Sequence, residues 1–137
     1  MAVVALGLDL VQIDRLAEML ERRGDRLLER LFTDAERAYC DRRKRRATHY
    51  AGRFAVKEAV MKALGTGWAQ GVRWRDIEVV RQPGRAPELA LHGASARIAR
   101  ERGIARIHIT ITHDAGLAAA VAVAESEPGP VAGPGVP

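Results

Sequence analysis

Glu58 and Lys62 stand four residues apart in the run Phe54-Ala55-Val56-Lys57-Glu58-Ala59-Val60-Met61-Lys62-Ala63, a spacing that sets a carboxylate and an ammonium on one face of a helix. Such a pair is either a solvated surface ion pair or, where the face is closed in, a proton acceptor beside a cation that meets phosphate charge. Ala51, Ala55, Ala59 and Ala63 recur on the same segment; small side chains admit a ligand or a second backbone, so this face qualifies as an active-site wall. Asp9 lies in the least polar stretch of the chain, where an unpaired carboxylate is costly to bury. It reads in two ways: as the cap of a helix opening near Gln12, or as a ligand whose charge a metal ion compensates. His113 sits where an alternating strand meets Asp114-Ala115-Gly116, either as a packed or solvated residue or as a catalytic one. The four histidines, 49, 92, 108 and 113, show no close metal-ligand spacing, which speaks against a histidine zinc site. The basic run Arg42 to Arg46 is either a solvated helix end or a dock for phosphate or an acidic protein. Gly65-Thr66-Gly67 lacks the Lys-Ser/Thr of a P-loop and follows no strand, so it is chiefly a helix stop.

These residues need elements to hold them. Residues 2 to 11 read as a short buried strand interrupted by Gly7 and Asp9. Ile13 to Leu31 carries leucines at helical spacing, with Gly24 dividing two helices. Thr33 and Glu36 have the residue types of a capping box, opening a helix that carries Tyr39 and Cys40. Thr48 to Leu64, free of proline and closed by Gly65, is the longest helix expected. Residues 77 to 80 and 89 to 91 read as a hairpin around Gln82-Pro83-Gly84-Arg85, Ala94 to Arg102 as a helix, and 107 to 112 and 117 to 124 as strands joined by a turn at 113 to 116. The order favours an α+β fold with a small antiparallel sheet packed against the long helix. Residues 1–125 form one domain, and 126–137, holding four of the six prolines, form a disordered tail.

At 137 residues the chain is long enough for one self-sufficient core. Cys40 is the sole cysteine, so no intramolecular disulfide staples the fold, and a reducing, cytoplasmic setting suits a lone thiol. The N-terminus has no basic leader, and no apolar run reaches the roughly 18 residues of a membrane span. The net charge of +5 calls for an anionic partner without choosing among nucleic acid, lipid, phosphorylated metabolite and acidic protein.

The ordered combination is more specific than any part. Gly7-Leu8-Asp9-Leu10, followed about fifty residues on by Phe54 to Ala63, resembles the two-part signature of the 4′-phosphopantetheinyl transferases. Arg15, Leu31-Phe32-Thr33 with Glu36, Ala51-Gly52-Arg53, Leu64-Gly65-Thr66-Gly67, Gly84-Arg85 with Pro87, and Thr112-His113 are similar to the short, stand-alone type called holo-acyl-carrier-protein synthase, over residues 5 to 124. Two positions depart from that pattern. Thr112 stands where serine is common, keeping a hydroxyl. Asp114 stands where serine or threonine is common, setting a negative charge beside the phosphates or pairing with His113.

The resemblance implies an enzyme that moves the phosphopantetheine arm of coenzyme A onto a serine of apo acyl carrier protein and releases adenosine 3′,5′-bisphosphate, in fatty-acid or polyketide synthesis. It implies Mg²⁺ on Asp9 and Glu58, with Glu58 as the general base, directly or by way of a water, and Lys62 meeting phosphate charge. Arg53, Phe54, Lys62 and Gly65 belong by resemblance to the coenzyme A pocket, and Gly84, Pro87 and His113 complete it from a neighbouring subunit of a homotrimer. Arg15, Arg42 and Arg45 then face the acidic helix of the carrier protein. Neither nucleic acid nor a membrane is an implied partner. A basic nucleic-acid module and a non-catalytic trimeric scaffold are the competing readings, and neither needs Asp9, Glu58 and Lys62 together.

Overall fold

In the computed structural model, residues 1–128 are described. The chain runs β1 (Val3–Gln12), α1 (Ile13–Leu31), α2 (Asp34–Asp41), α3 (Arg46–Leu64), a single 3-10 turn (Trp74–Asp76), β2 (Ile77–Val80), β3 (Glu88–Leu91), α4 (Gly93–Glu101), β4 (Ile104–Asp114) and β5 (Leu117–Ser126). Antiparallel pairing is divided between a three-stranded sheet, ordered β1-β5-β4, and the β2-β3 hairpin. Helix α3 lies across the larger sheet.

The alanine stripe explains how close that packing is. Ala51, Ala55 and Ala59 on α3 are fully buried, and so are Ala118, Ala122 and Ala124 on the inner face of β5, with Ala120 nearly so. Small side chains on both surfaces let helix and sheet approach nearly backbone to backbone. The stripe is therefore a packing face, and the catalytic candidates sit beside it. At Gly7 the approach is tightest: a Cβ there would overlap the Ala59 carbonyl, lying 2.7 Å from its carbon. Gly7→Ala is expected to cost about 3 kcal/mol or more, read as a lower urea midpoint at unchanged m-value, and to push Asp9 away from α3.

Two boundaries differ from expectation for identifiable reasons. Helix α3 begins at Arg46, two residues early, because Asp41 Oδ1 accepts both Arg46 Nε at 2.6 Å and the Tyr50 hydroxyl at 2.8 Å, pinning the first turn. Gly24, by contrast, divides α1 as expected, breaking it into two helical segments at φ 57°, ψ −143°. Strand β5 continues to Ser126, whose N–H donates to the Ala2 carbonyl at 2.9 Å, so the domain edge set at 125 falls inside a strand; of the remaining tail, 129–137 lie outside the described residues. Elsewhere local chemistry holds. Thr33 and Glu36 form both halves of the capping box, and Gly65 closes α3 in the left-handed region at φ 74°.

Strand β1 is not buried on both faces. Its odd-numbered side chains turn toward α3, but Leu6, Leu8 and Leu10 point outward, 66%, 58% and 61% exposed. They register with Val123, Val121 and Ala119 of β5, which register in turn with His108, Thr110 and Thr112 of β4. The outer sheet face thus carries a broad apolar patch, larger than scattered surface leucines produce.

Candidate active site

Asp9 lies inside β1, opposite Ala120, and Gln12 rather than Asp9 holds the N-cap position of α1, without a side-chain cap bond. The helix-cap reading of Asp9 is thereby set aside. Period-2 alternation instead aims Asp9 inward at α3, where Lys62 Nζ donates to Asp9 Oδ1 at 3.1 Å and to the Leu8 carbonyl at 2.9 Å. The Asp9 side chain is 10% exposed, and its Oδ2 is buried without a hydrogen-bond partner among the described residues. Glu58, one turn before Lys62, faces the same carboxylate. Burial first, then the charge of the neighbouring Asp9 carboxylate, push the Glu58 pKa up to about 7, with Lys62 pulling the other way.

Two carboxylates drawn together, one with an orphaned buried oxygen and the other strained toward neutrality, make a site short of positive charge. No group of three or more His, Cys, Asp and Glu side chains gathers among the described residues, so the protein offers two oxygen ligand groups and leaves the rest to substrate and water. That donor set fits a hard divalent cation such as Mg²⁺ and not a structural zinc.

The other candidates fall into distinct places. Phe54, one turn before Glu58, stacks on Trp74 with ring centroids 5.0 Å apart, and Trp74 meets Trp68 at 5.8 Å. Trp68 and Trp74 join Arg30, Arg73 and Arg75 around a cavity of about 550 Å³; scattered along the chain, these residues gave no motif to read. Gly65 supplies the turn from α3 into that aromatic loop.

Arg53 lies five residues from Glu58 and so about 140° away around α3. It is 3% exposed, and its Nε has no partner among the described residues. Its guanidinium rests 4.1 Å from the Tyr39 ring centroid, as does that of Arg43. Burial lowers the His49 pKa, and the charges of Arg53, Arg43, His113 and Arg81 lower it further. This flank of α3 is a positive pocket in want of an anion. His113 shares a concavity with Arg45 and Thr48. Asp114 Oδ1 accepts the Ala115 N–H at 2.9 Å, so this acid closes the β4-β5 turn. Gly84 is exposed in the β2-β3 turn, and Pro87 borders a groove with Arg106 and His108 of β4. Since β4 and β1 are opposite edges of the sheet, His113 and Pro87 do not join Asp9 and Glu58 within one chain. Arg15, Arg42 and Arg45 are all exposed.

Known proteins with the same pattern extend over nearly the whole chain. The family model for the 4′-phosphopantetheinyl transferase superfamily matches residues 5–122. A holo-[acyl-carrier-protein] synthase of Anaeromyxobacter dehalogenans (strain 2CP-C) is 52% identical over 126 residues, 90% of this chain and 96% of that protein. The crystal structure of the Neisseria meningitidis holo-[acyl-carrier-protein] synthase superposes with a TM-score of 0.83 at 27% identity, covering 91% of this chain and 100% of that one. The Helicobacter pylori synthase, solved in complex with coenzyme A, gives 0.77 at 32% identity over 88% and 99% of the two chains. The fold and these matches define a transferase, and the chain belongs to the 4′-phosphopantetheinyl transferase superfamily. Within that superfamily it groups with the short holo-acyl-carrier-protein synthases.

Proposed function

We propose that the protein transfers the 4′-phosphopantetheine group of coenzyme A to a serine of apo acyl carrier protein, with Mg²⁺, in fatty-acid or polyketide synthesis in the cytoplasm. The observation that carries this reading is the Asp9–Glu58–Lys62 cluster, with its orphaned Asp9 oxygen and its Glu58 poised near neutrality. Asp9 and Glu58 hold the cation, which supplies charge neutralisation at the pyrophosphate when bound. Glu58 accepts the serine proton, directly or by way of a water. The serine oxygen forms its bond to the β-phosphorus of coenzyme A as the bond from that phosphorus to the bridging oxygen breaks. Lys62, held 3.1 Å from Asp9, meets the charge on the departing adenosine 3′,5′-bisphosphate and can return a proton to it.

Coenzyme A also needs its adenylate phosphates bound, and the buried Arg53, whose Nε is without a partner among the described residues, suits them with His49 and His113. That pocket and the carboxylates occupy opposite flanks of α3. The proposal therefore places each active site between two copies of the chain: Asp9, Glu58, Lys62, Phe54 and Gly65 from one, and Arg53, His113, Gly84 and Pro87 from the next. The exposed row Leu6, Leu8 and Leu10 with Val121 supplies an apolar face to hold a homotrimer together. Arg15, Arg42 and Arg45 steer the acidic carrier protein toward the site.

The test is the intact mass of an apo acyl carrier protein after incubation with the protein, coenzyme A and Mg²⁺. A gain of one phosphopantetheine group is expected, lost on adding EDTA in excess and in Asp9→Ala. No gain across several carrier proteins would reject the reading, and a gain that survives EDTA would remove the cation from it.

A further inference from the structure

Close packing of alanine on alanine brings α3 near the sheet, while Tyr50, Val56, Val60, Met61 and Leu64 bury its other faces. Within that packing Glu58 must point at Asp9. On the far side of α3, Lys57 is fully buried. Its ammonium donates to Glu36 Oε1 at 2.8 Å, to the Trp74 carbonyl at 3.0 Å and to the Ile77 carbonyl at 2.6 Å, which uses all three donors. Glu36 is clamped in turn: Oε1 accepts the Thr33 N–H at 2.9 Å and Oε2 accepts the Val79 N–H at 3.0 Å. One buried ion pair thus ties α3 to the start of α2, to the 3-10 turn and to β2.

We propose that Lys57 is a positioning residue for the transfer reaction, setting the roll of α3 so that Glu58 is held against Asp9. This rests on the reading of Asp9 and Glu58 as the cation-binding carboxylates. Successive residues project about 100° apart around a helix, so the Lys57 anchor fixes the direction of Glu58 without touching it. Its action is mechanical: burial, Asp9 and Lys62 set the Glu58 pKa, while the Lys57 charge is spent on Glu36. A roll of about 20° would move a carboxylate about 6 Å from the helix axis by about 2 Å, well beyond the roughly 0.5 Å that a preorganised site tolerates. Misplacement by about 1 Å can cost 10²-fold in rate.

The decisive variant is Lys57→Met with Glu36→Gln, which removes both buried charges together and so leaves neither unpaired. The expected result is a folded protein whose Mn²⁺ affinity, read by electron paramagnetic resonance of the free ion, falls about 10-fold. Its kcat falls about 10- to 100-fold, and because Arg53 rides on the same helix, the KM for coenzyme A rises with it. Wild-type Mn²⁺ affinity and kcat would overturn the proposal, as would a KM rise that accounts for the whole loss. If the double variant does not fold, Lys57→Met alone, in which Glu36 keeps the Thr33 and Val79 N–H donors that hold it, is measured the same way. Failure of both to fold would assign the pair to stability alone and overturn the positioning role. Asp9→Ala runs beside them: if it bound Mn²⁺ as tightly as wild type, the carboxylate site itself would be misassigned, and the role of Lys57 would fall with it.

Discussion

Glu58→Gln is expected to lower phosphopantetheine transfer about 10³-fold and, at the same time, to raise the melting temperature of the metal-free protein above pH 7. The second effect follows from the same burial as the first. Burial and the neighbouring Asp9 raise the Glu58 pKa from its ordinary 4.5 to about 7, so the folded protein binds this proton more tightly than the unfolded chain. Between those two values unfolding releases a proton, and stability falls as pH rises. Below about pH 4.5 the group costs nothing; above about pH 7 its full cost is present. Glutamine carries no such charge, so the two melting temperatures should coincide near pH 5 and separate progressively up to pH 7.5. Mg²⁺ should narrow the gap at pH 8 by stabilising the wild type alone. Parallel melting curves across the range, with no separation, would show that Glu58 is not strained by Asp9 and would weaken its assignment as both ligand and base.

The parts of this site that follow from local chemistry were open to reading in the sequence. Thr33 and Glu36 announce a cap because both bonds close within three residues, and Gly65 announces a stop because the left-handed turn needs no Cβ. Glu58 and Lys62 fall on one face by spacing alone. What stayed hidden depends on contacts between distant segments. The capping glutamate is also the partner of Lys57, 21 residues on, and no local pattern distinguishes a buried lysine from the solvated ones around it. Leu6, Leu8 and Leu10 look like core because an apolar strand residue reads the same whether it turns toward its own helix or away from it. Arg53 and Glu58 occupy one continuous motif, yet the helix turns them to opposite flanks, so nearness in sequence concealed their separation in space. The split into two sheets was likewise invisible, since alternation marks a strand without naming its neighbour.

That separation makes a strong prediction. Glu58→Gln and Arg53→Ala should each be inactive, by about 10²-fold or more, yet mixing the two after reversible dissociation should restore activity. If the sites are shared around a closed ring, as proposed, each takes its carboxylates from one copy and its arginine from the next. A site is intact when an Arg53→Ala chain supplies Glu58 and a Glu58→Gln chain supplies Arg53, which random mixing at equal amounts achieves in about one quarter of sites. Sites built within a single chain would recover nothing, since every chain carries one lesion. Leu8→Glu provides the companion test, because it places a charge at the centre of the exposed sheet face, 58% accessible in the isolated chain, without disturbing the helix that carries Glu58. It should run as a monomer in analytical ultracentrifugation, keep its far-UV circular dichroism, and lose transfer together with the mixed-oligomer recovery. A monomeric Leu8→Glu protein with full activity would return Arg53 and Glu58 to a single chain and require coenzyme A to wrap around α3, a path that the sheet packed along the helix obstructs.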